Sequence, residues 1–164
     1  MFSYKIVLVG NFGVGKTSLI RRFVENSFSE DYLSTIGVSI SKKSIGDVTI
    51  MIWDIEGHTE FKPIYKQYLL GAKAFIVVGD LLREETVEEI QNHIHLCQEV
   101  VKNAPIAIAL NKSDMPHTFT QDDLQKTKDL SANIVSVVKT SAKSGDAVEE
   151  LFLALNEVVC KQIS

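Results

Sequence analysis

The stretch Gly10-Asn11-Phe12-Gly13-Val14-Gly15-Lys16-Thr17 carries glycines, a lysine and a hydroxyl at the spacing G-x-x-x-x-G-K-[ST]. Glycines at these positions let backbone N–H groups from Gly13 and Val14 through Gly15, Lys16, Thr17 and Ser18 wrap a phosphate. A helix starting there adds positive potential, Lys16 a point charge, and the Thr17 hydroxyl a hard oxygen for Mg²⁺. A second group, Asp54-Ile55-Glu56-Gly57, offers a carboxylate to the same metal and a Gly57 N–H to a γ-phosphate. Asn111-Lys112-Ser113-Asp114 speaks to the base. The Asp114 carboxylate can accept both N1–H and N2–H of guanine, whereas adenine has an acceptor at N1 and no exocyclic donor at C2. Ser141-Ala142-Lys143 is uninformative as a tripeptide and counts only by its position, where the Ala142 N–H would meet the guanine O6.

Residues so far apart in sequence must be brought together by strands. Tyr4 to Val9, Val48 to Trp53, Ala74 to Val78, Pro105 to Leu110 and Ile134 to Val138 are short, mostly β-branched apolar runs, as in strands buried on both faces. Val38 to Ser44 alternates partially, and Gly46-Asp47 then predicts an antiparallel hairpin at one edge. Between the runs lie helical patterns. Leu19, Ile20 and Phe23 follow the lysine; Val87, Ile90, Ile94, Cys97 and Val101 form one stripe; Val148, Leu151, Phe152, Leu155 and Val159 form another, with Asp146 as its expected N-cap. The expected fold is α/β with three layers: a mostly parallel six-stranded sheet, one antiparallel edge strand, and helices on both faces. Each motif directly follows a strand, where such sheets bind ligands.

Composition narrows the function. The 164 residues correspond to one domain over 1–164, and 17 basic against 21 acidic side chains give a net charge of −4, which disfavours nucleic acid as a partner. The longest apolar run, Ala104 to Leu110, has only seven residues and predicts no membrane span. Cys97 and Cys160 lack metal-ligand spacing and fit a reducing cytosol, so the expected location is cytoplasmic. Phe2 excludes N-myristoylation and Cys160 is fifth from the end, outside a C-a-a-X pattern, so membrane association would need a further tail or a partner.

With these motifs in hand, the chain resembles the Ras superfamily of small GTPases over its whole length, the Rab branch most of all. The Rab-like residues are Tyr32 to Val38, Trp53 before Asp54, and Tyr68-Leu69-Leu70-Gly71-Ala72 before a strand. The resemblance implies a P-loop G domain holding GTP or GDP with Mg²⁺. It implies that Thr35 ligates the metal and senses the γ-phosphate, that Phe28 stacks on guanine, and that Tyr32 lies over the phosphates. Asn111 and Asp114 would read the base, with Lys112 packed along it. An effector, an exchange factor and an activating protein would bind a monomer through switch regions near Thr35 and Gly57. On this reading the protein is a molecular switch that slowly hydrolyses GTP to GDP and phosphate, with Lys16, Gly57 and His58 in catalytic roles.

Three residues depart from the family pattern. His58 replaces the usual water-orienting glutamine, although D-x-x-G-H also resembles translational GTPases, where a histidine takes that role. Glu56 replaces a small residue. Phe12 stands inside the P-loop where Gly, Ser or Ala is usual, and its ring would crowd an arginine finger from a partner. Phe12 and His58 together raise an alternative, a hydrolysis-deficient GTP-binding module that recruits a protein partner. An ATP-using P-loop kinase is a third class, disfavoured by N-K-x-D. Ile40 and Leu69 stand where Rab proteins show surface Phe and Tyr. His93 and His95 lie two apart on one helix and are expected to be solvated.

Overall fold

In β1 (Phe2–Gly10) the side chains of Ile6, Val7, Leu8 and Val9 are all inaccessible, which requires cover on both faces of the strand. The computed structural model, which describes residues 2–30, 35–60 and 62–163, supplies that cover. Tyr4, Ile6 and Leu8 point into a core with Leu19, Ile20 and Phe23 of α1 (Lys16–Glu25) and Leu151, Phe152 and Leu155 of α5 (Val148–Ile163). Phe23 and Phe152 stack there with ring centroids 4.1 Å apart. Val7 and Val9 point the other way, into a core with Leu69 and with Ile90, Ile94 and Cys97 of α3 (Ile90–Val100).

The remaining strands are β2 (Val38–Ile45), β3 (Val48–Ile55), β4 (Ala72–Asp80), β5 (Ile106–Asn111) and β6 (Ile134–Lys139). They form one six-stranded sheet in the order β2-β3-β1-β4-β5-β6. Only β2 runs antiparallel, paired to β3 through a hairpin whose Gly46 has φ 58°, a left-handed turn conformation that glycine adopts without strain. The fold class agrees with the sequence expectation. Leu8 pairs with Asp54, Gly10 with Val78 and Asp80 with Asn111, so the strands that carry the motifs end along one edge of the sheet.

Local expectations differ in four places. The stripe from Val87 to Val101 is interrupted at Glu89, giving α2 (Glu84–Glu88) and α3. α4 (Gln121–Lys128) has no sequence counterpart above, because it is polar apart from Leu124; a capping box between Thr120 and Asp123 starts it. α5 begins at Val148 after Ala147 at φ 60°, one residue later than an Asp146 cap requires. Leu69 is fully buried, so it forms no part of a surface; Ile40 is exposed as expected.

Candidate functional site

The P-loop is shaped by its glycines. Gly13 and Gly15 have φ 78° and 102°, and a Cβ on Gly15 would collide with the Asn111 side-chain amide. The first bond of α1 runs from Leu19 N–H to Gly15 O at 2.9 Å, which leaves the Lys16, Thr17 and Ser18 N–H groups at the open helix end. They face a cavity of about 310 Å³. Phe12, Gly13, Gly15, Lys16, Thr17 and Ser18 line one end of it, with Thr35, Asp54 and Gly57 beside them. Val14 is buried in the core below.

Lys16 is buried, with Nζ 3.3 Å from Asn11 O and 3.5 Å from Gly10 O. Burial pushes its pKa down to about 8; the Asp54 carboxylate opposes that shift and the Arg83 charge adds to it. Thr17 Oγ1 donates to Asp54 Oδ2 at 2.5 Å and lies 2.8 Å from Thr35 Oγ1, while Thr35 Oγ1 donates to Asp54 Oδ2 at 3.3 Å. Burial raises the Asp54 pKa, against the two hydroxyls and Lys16. Among the described residues, Asp54 Oδ1 is buried without a hydrogen-bond partner. Two hydroxyls and an orphaned carboxylate oxygen are the hard donors that Mg²⁺ takes, so the chemistry of the set fits that ion.

At the other end of the cavity, β5 delivers Asn111, whose Nδ2–H donates to Val14 O at 3.0 Å and whose Oδ1 accepts from Thr140 Oγ1 at 3.2 Å and Ala142 N–H at 3.4 Å. This one amide ties the P-loop to the Ser141–Lys143 loop. Ser141 is buried and donates through Oγ to Asp114 Oδ1 at 2.8 Å, fixing a carboxylate that is itself exposed. Lys112 Nζ reaches Asp80 Oδ2 at 2.7 Å and Gly13 O at 3.4 Å. Phe28, half-buried, lines the wall, and Lys143 bridges to Glu30 at 3.1 Å across the mouth. Tyr32 lies outside the described residues.

His58 does not line this cavity. Its backbone forms an isolated parallel bridge to the P-loop, with His58 N–H donating to Gly10 O at 3.0 Å and Phe12 N–H donating to His58 O at 2.9 Å. Gly57 packs so tightly that a Cβ would come within 2.6 Å of Phe12 Cα. Glu56 ties together the segments on either side of β2 and β3: its N–H donates to Gly37 O at 2.8 Å and its carboxylate pairs with Lys62 at 2.9 Å. The expectation for His93 is corrected: it is buried, 3% exposed, while His95 is exposed as expected.

Sequence reasoning passed over three more residues. Arg22 of α1 donates to Ala142 O at 2.9 Å and Lys143 O at 2.7 Å, holding the loop beyond β6. Arg83 donates to Phe12 O at 2.6 Å, and the buried Asp80 anchors both Arg83 and Lys112. An acidic residue ending a buried strand was the visible sign of Asp80; the arginines carried none.

The Ras family model matches residues 5–161. Ras-related protein Rab-13 of dog is 34% identical over 157 residues, covering 93% of this chain and 77% of the relative. Human Ras-related protein Rab-30 is 33% identical over 168 residues (99% and 81%), and mouse Ras-related protein Rab-22A is 34% identical over 159 (93% and 81%). The chain therefore belongs to the Ras family of small GTPases, with Rab proteins among its relatives.

Proposed function

We propose that this GTPase works as a Mg²⁺-dependent guanine-nucleotide switch with slow intrinsic hydrolysis. The observation carrying the reading is that four sequence-distant segments, Gly13–Ser18, Asp54–Gly57, Asn111–Asp114 and Ala142–Lys143, meet at one cavity. Asp114 accepts from guanine N1–H and N2–H, Ala142 N–H donates to O6, Asn111 keeps the base loops together, and Phe28 and Lys112 sandwich the ring. The P-loop N–H groups and Lys16 hold the phosphates. Thr17, Asp54 and, in the GTP state, Thr35 hold Mg²⁺, which when bound neutralises charge on the β- and γ-phosphate oxygens. Gly57 N–H orients the γ-phosphate, and the His58 imidazole orients the attacking water as the phosphorus–oxygen bond to GDP breaks. Loss of the γ-phosphate then releases the segments around Thr35 and Gly57, which changes the surface offered to a protein partner.

A second reading, a GTP-holding module with negligible turnover, is favoured by the position of His58 outside the cavity and of Phe12 in its lining. Chromatography of the nucleotide released from purified protein separates the two: mostly GDP supports hydrolysis, and persistent GTP supports the module. Retention of adenine nucleotide would overturn both.

A further inference from the structure

His93 sits on α3 three residues after Ile90 and one before Ile94, and its side chain is buried between the helix and the P-loop. Its Nε2–H donates to Asn11 Oδ1 at 3.0 Å. Burial pushes its pKa down to about 4; the neighbouring His58 and Lys16 act in the same direction, and Glu89 opposes them. The ring is therefore neutral at physiological pH, with its single proton on the nitrogen that faces Asn11. The ring also meets His58, whose imidazole lies edge-to-face at 5.6 Å between centroids and 72° between planes. His58 is thus held at two levels. The backbone bridge to Gly10 and Phe12 fixes where its Cα lies, and His93 provides the surface on which its side chain rests, outside the cavity.

We propose that His93 is a positioning residue that parks His58 beside the P-loop, away from the attacking water, and so slows GTP hydrolysis. The inference rests on the reading of His58 as the water-orienting side chain. To act, the imidazole must leave His93 and turn into the cavity. An edge-to-face aromatic pair contributes about 0.5–1.5 kcal/mol beyond area burial, so removing the partner ring raises the unparked population, and with it the rate, about 2- to 12-fold. The contact acts on a side chain already bridged through its backbone, so a small energy is enough to choose between two rotamers.

The two contacts of His93 can be separated. His93→Gln keeps an amide donor at the place of Nε2 for Asn11 but removes the ring under His58; His93→Phe keeps a ring and loses the donor. Single-turnover hydrolysis of preloaded GTP, GDP dissociation, and imidazole ¹H–¹⁵N spectra of His58 are to be measured for both variants. His93→Gln should hydrolyse GTP about 2- to 12-fold faster than wild type with GDP dissociation unchanged, and should shift the His58 resonances. His58→Ala in the same background should abolish the gain. His93→Phe should show no acceleration. A His93→Gln rate at or below wild type with unmoved His58 resonances would overturn the parking contact and leave the role of His58 standing. Moved resonances with an unchanged rate would instead overturn the water-orienting role and the brake built on it.

Discussion

Arg22 offers a test of how the base loop is held, because its guanidinium joins the helix that begins at the phosphate end to the loop that closes the base end. Its Nε–H donates to Ala142 O at 2.9 Å and its Nη2–H to Lys143 O at 2.7 Å, the second facing solvent. Arg22→Ala removes both donors, and with them the exposed Nη1–H bonds to Asn26 O at 3.4 Å and Asn26 Oδ1 at 3.2 Å at the end of the same helix, while leaving the α1 backbone bonds intact. A hydrogen bond from a charged donor contributes about 1.5–3 kcal/mol when shielded, and solvent screening cuts the exposed one well below that, so roughly 2 kcal/mol of loop ordering is lost. The loop would have to be ordered by the nucleotide instead, which corresponds to roughly 30-fold weaker GDP binding. The assay is displacement of a fluorescent GDP analogue by excess GDP, with Arg21→Ala on the same helix as the control. Dissociation should accelerate about 30-fold in Arg22→Ala and not in the control. A rate within threefold of wild type would refute the reasoning, since it would mean that Ala142 N–H holds its place through Asn111 alone.

Asp114→Asn should weaken GDP and GTP and favour xanthine nucleotides, whose C2 oxygen accepts from the new amide; unchanged GDP affinity by competition titration would reject the base assignment. Thr35→Ala should leave GDP dissociation near wild type while reducing the slowing of GTP dissociation by Mg²⁺, whereas Thr17→Ala should weaken Mg²⁺ in both states; equal losses from the two variants would make Thr35 structural. His93 should also leave a mark on acid stability. Its folded pKa of about 4 lies below the ordinary 6.5, so between those values the unfolded chain binds the extra proton and stability falls as pH drops through the window. That loss is on the order of 2–3 kcal/mol by pH 4.5, and urea midpoints at pH 7 and 4.5 should converge in His93→Gln. An equal acid loss in that variant would show that the buried imidazole is not its source.

The sheet was legible because β1, β3, β4, β5 and β6 are largely apolar runs and β2 announced itself by partial alternation before Gly46-Asp47, and the motifs because each glycine, lysine or carboxylate sits where an apolar run stops. What escaped was set by faces and by side-chain reach. α4 buries little, so no apolar stripe announced it; only Thr120 and Asp123 marked its start. His93 was visible in principle, since it lies at i+3 from Ile90 and i−4 from Cys97 on the buried stripe, and reading it as solvated gave its polarity more weight than its position. Arg22 and Arg83 act on backbone oxygens 120 and 71 residues away, contacts that no local pattern encodes. Glu56 likewise gained its role from the pairing of β2 with β3, which brings Gly37 to its N–H.

The central claim is that this cavity binds GTP with Mg²⁺ and slowly converts it to GDP. Loading the protein with GTP labelled at the γ-phosphate, removing free nucleotide, and following bound GTP, bound GDP and free phosphate over hours with and without Mg²⁺ tests it most directly. The account predicts a slow first-order loss of GTP, one phosphate released per GDP retained, and acceleration by Mg²⁺. Bound GTP that stays intact until it dissociates, at the same rate with or without Mg²⁺, would contradict it.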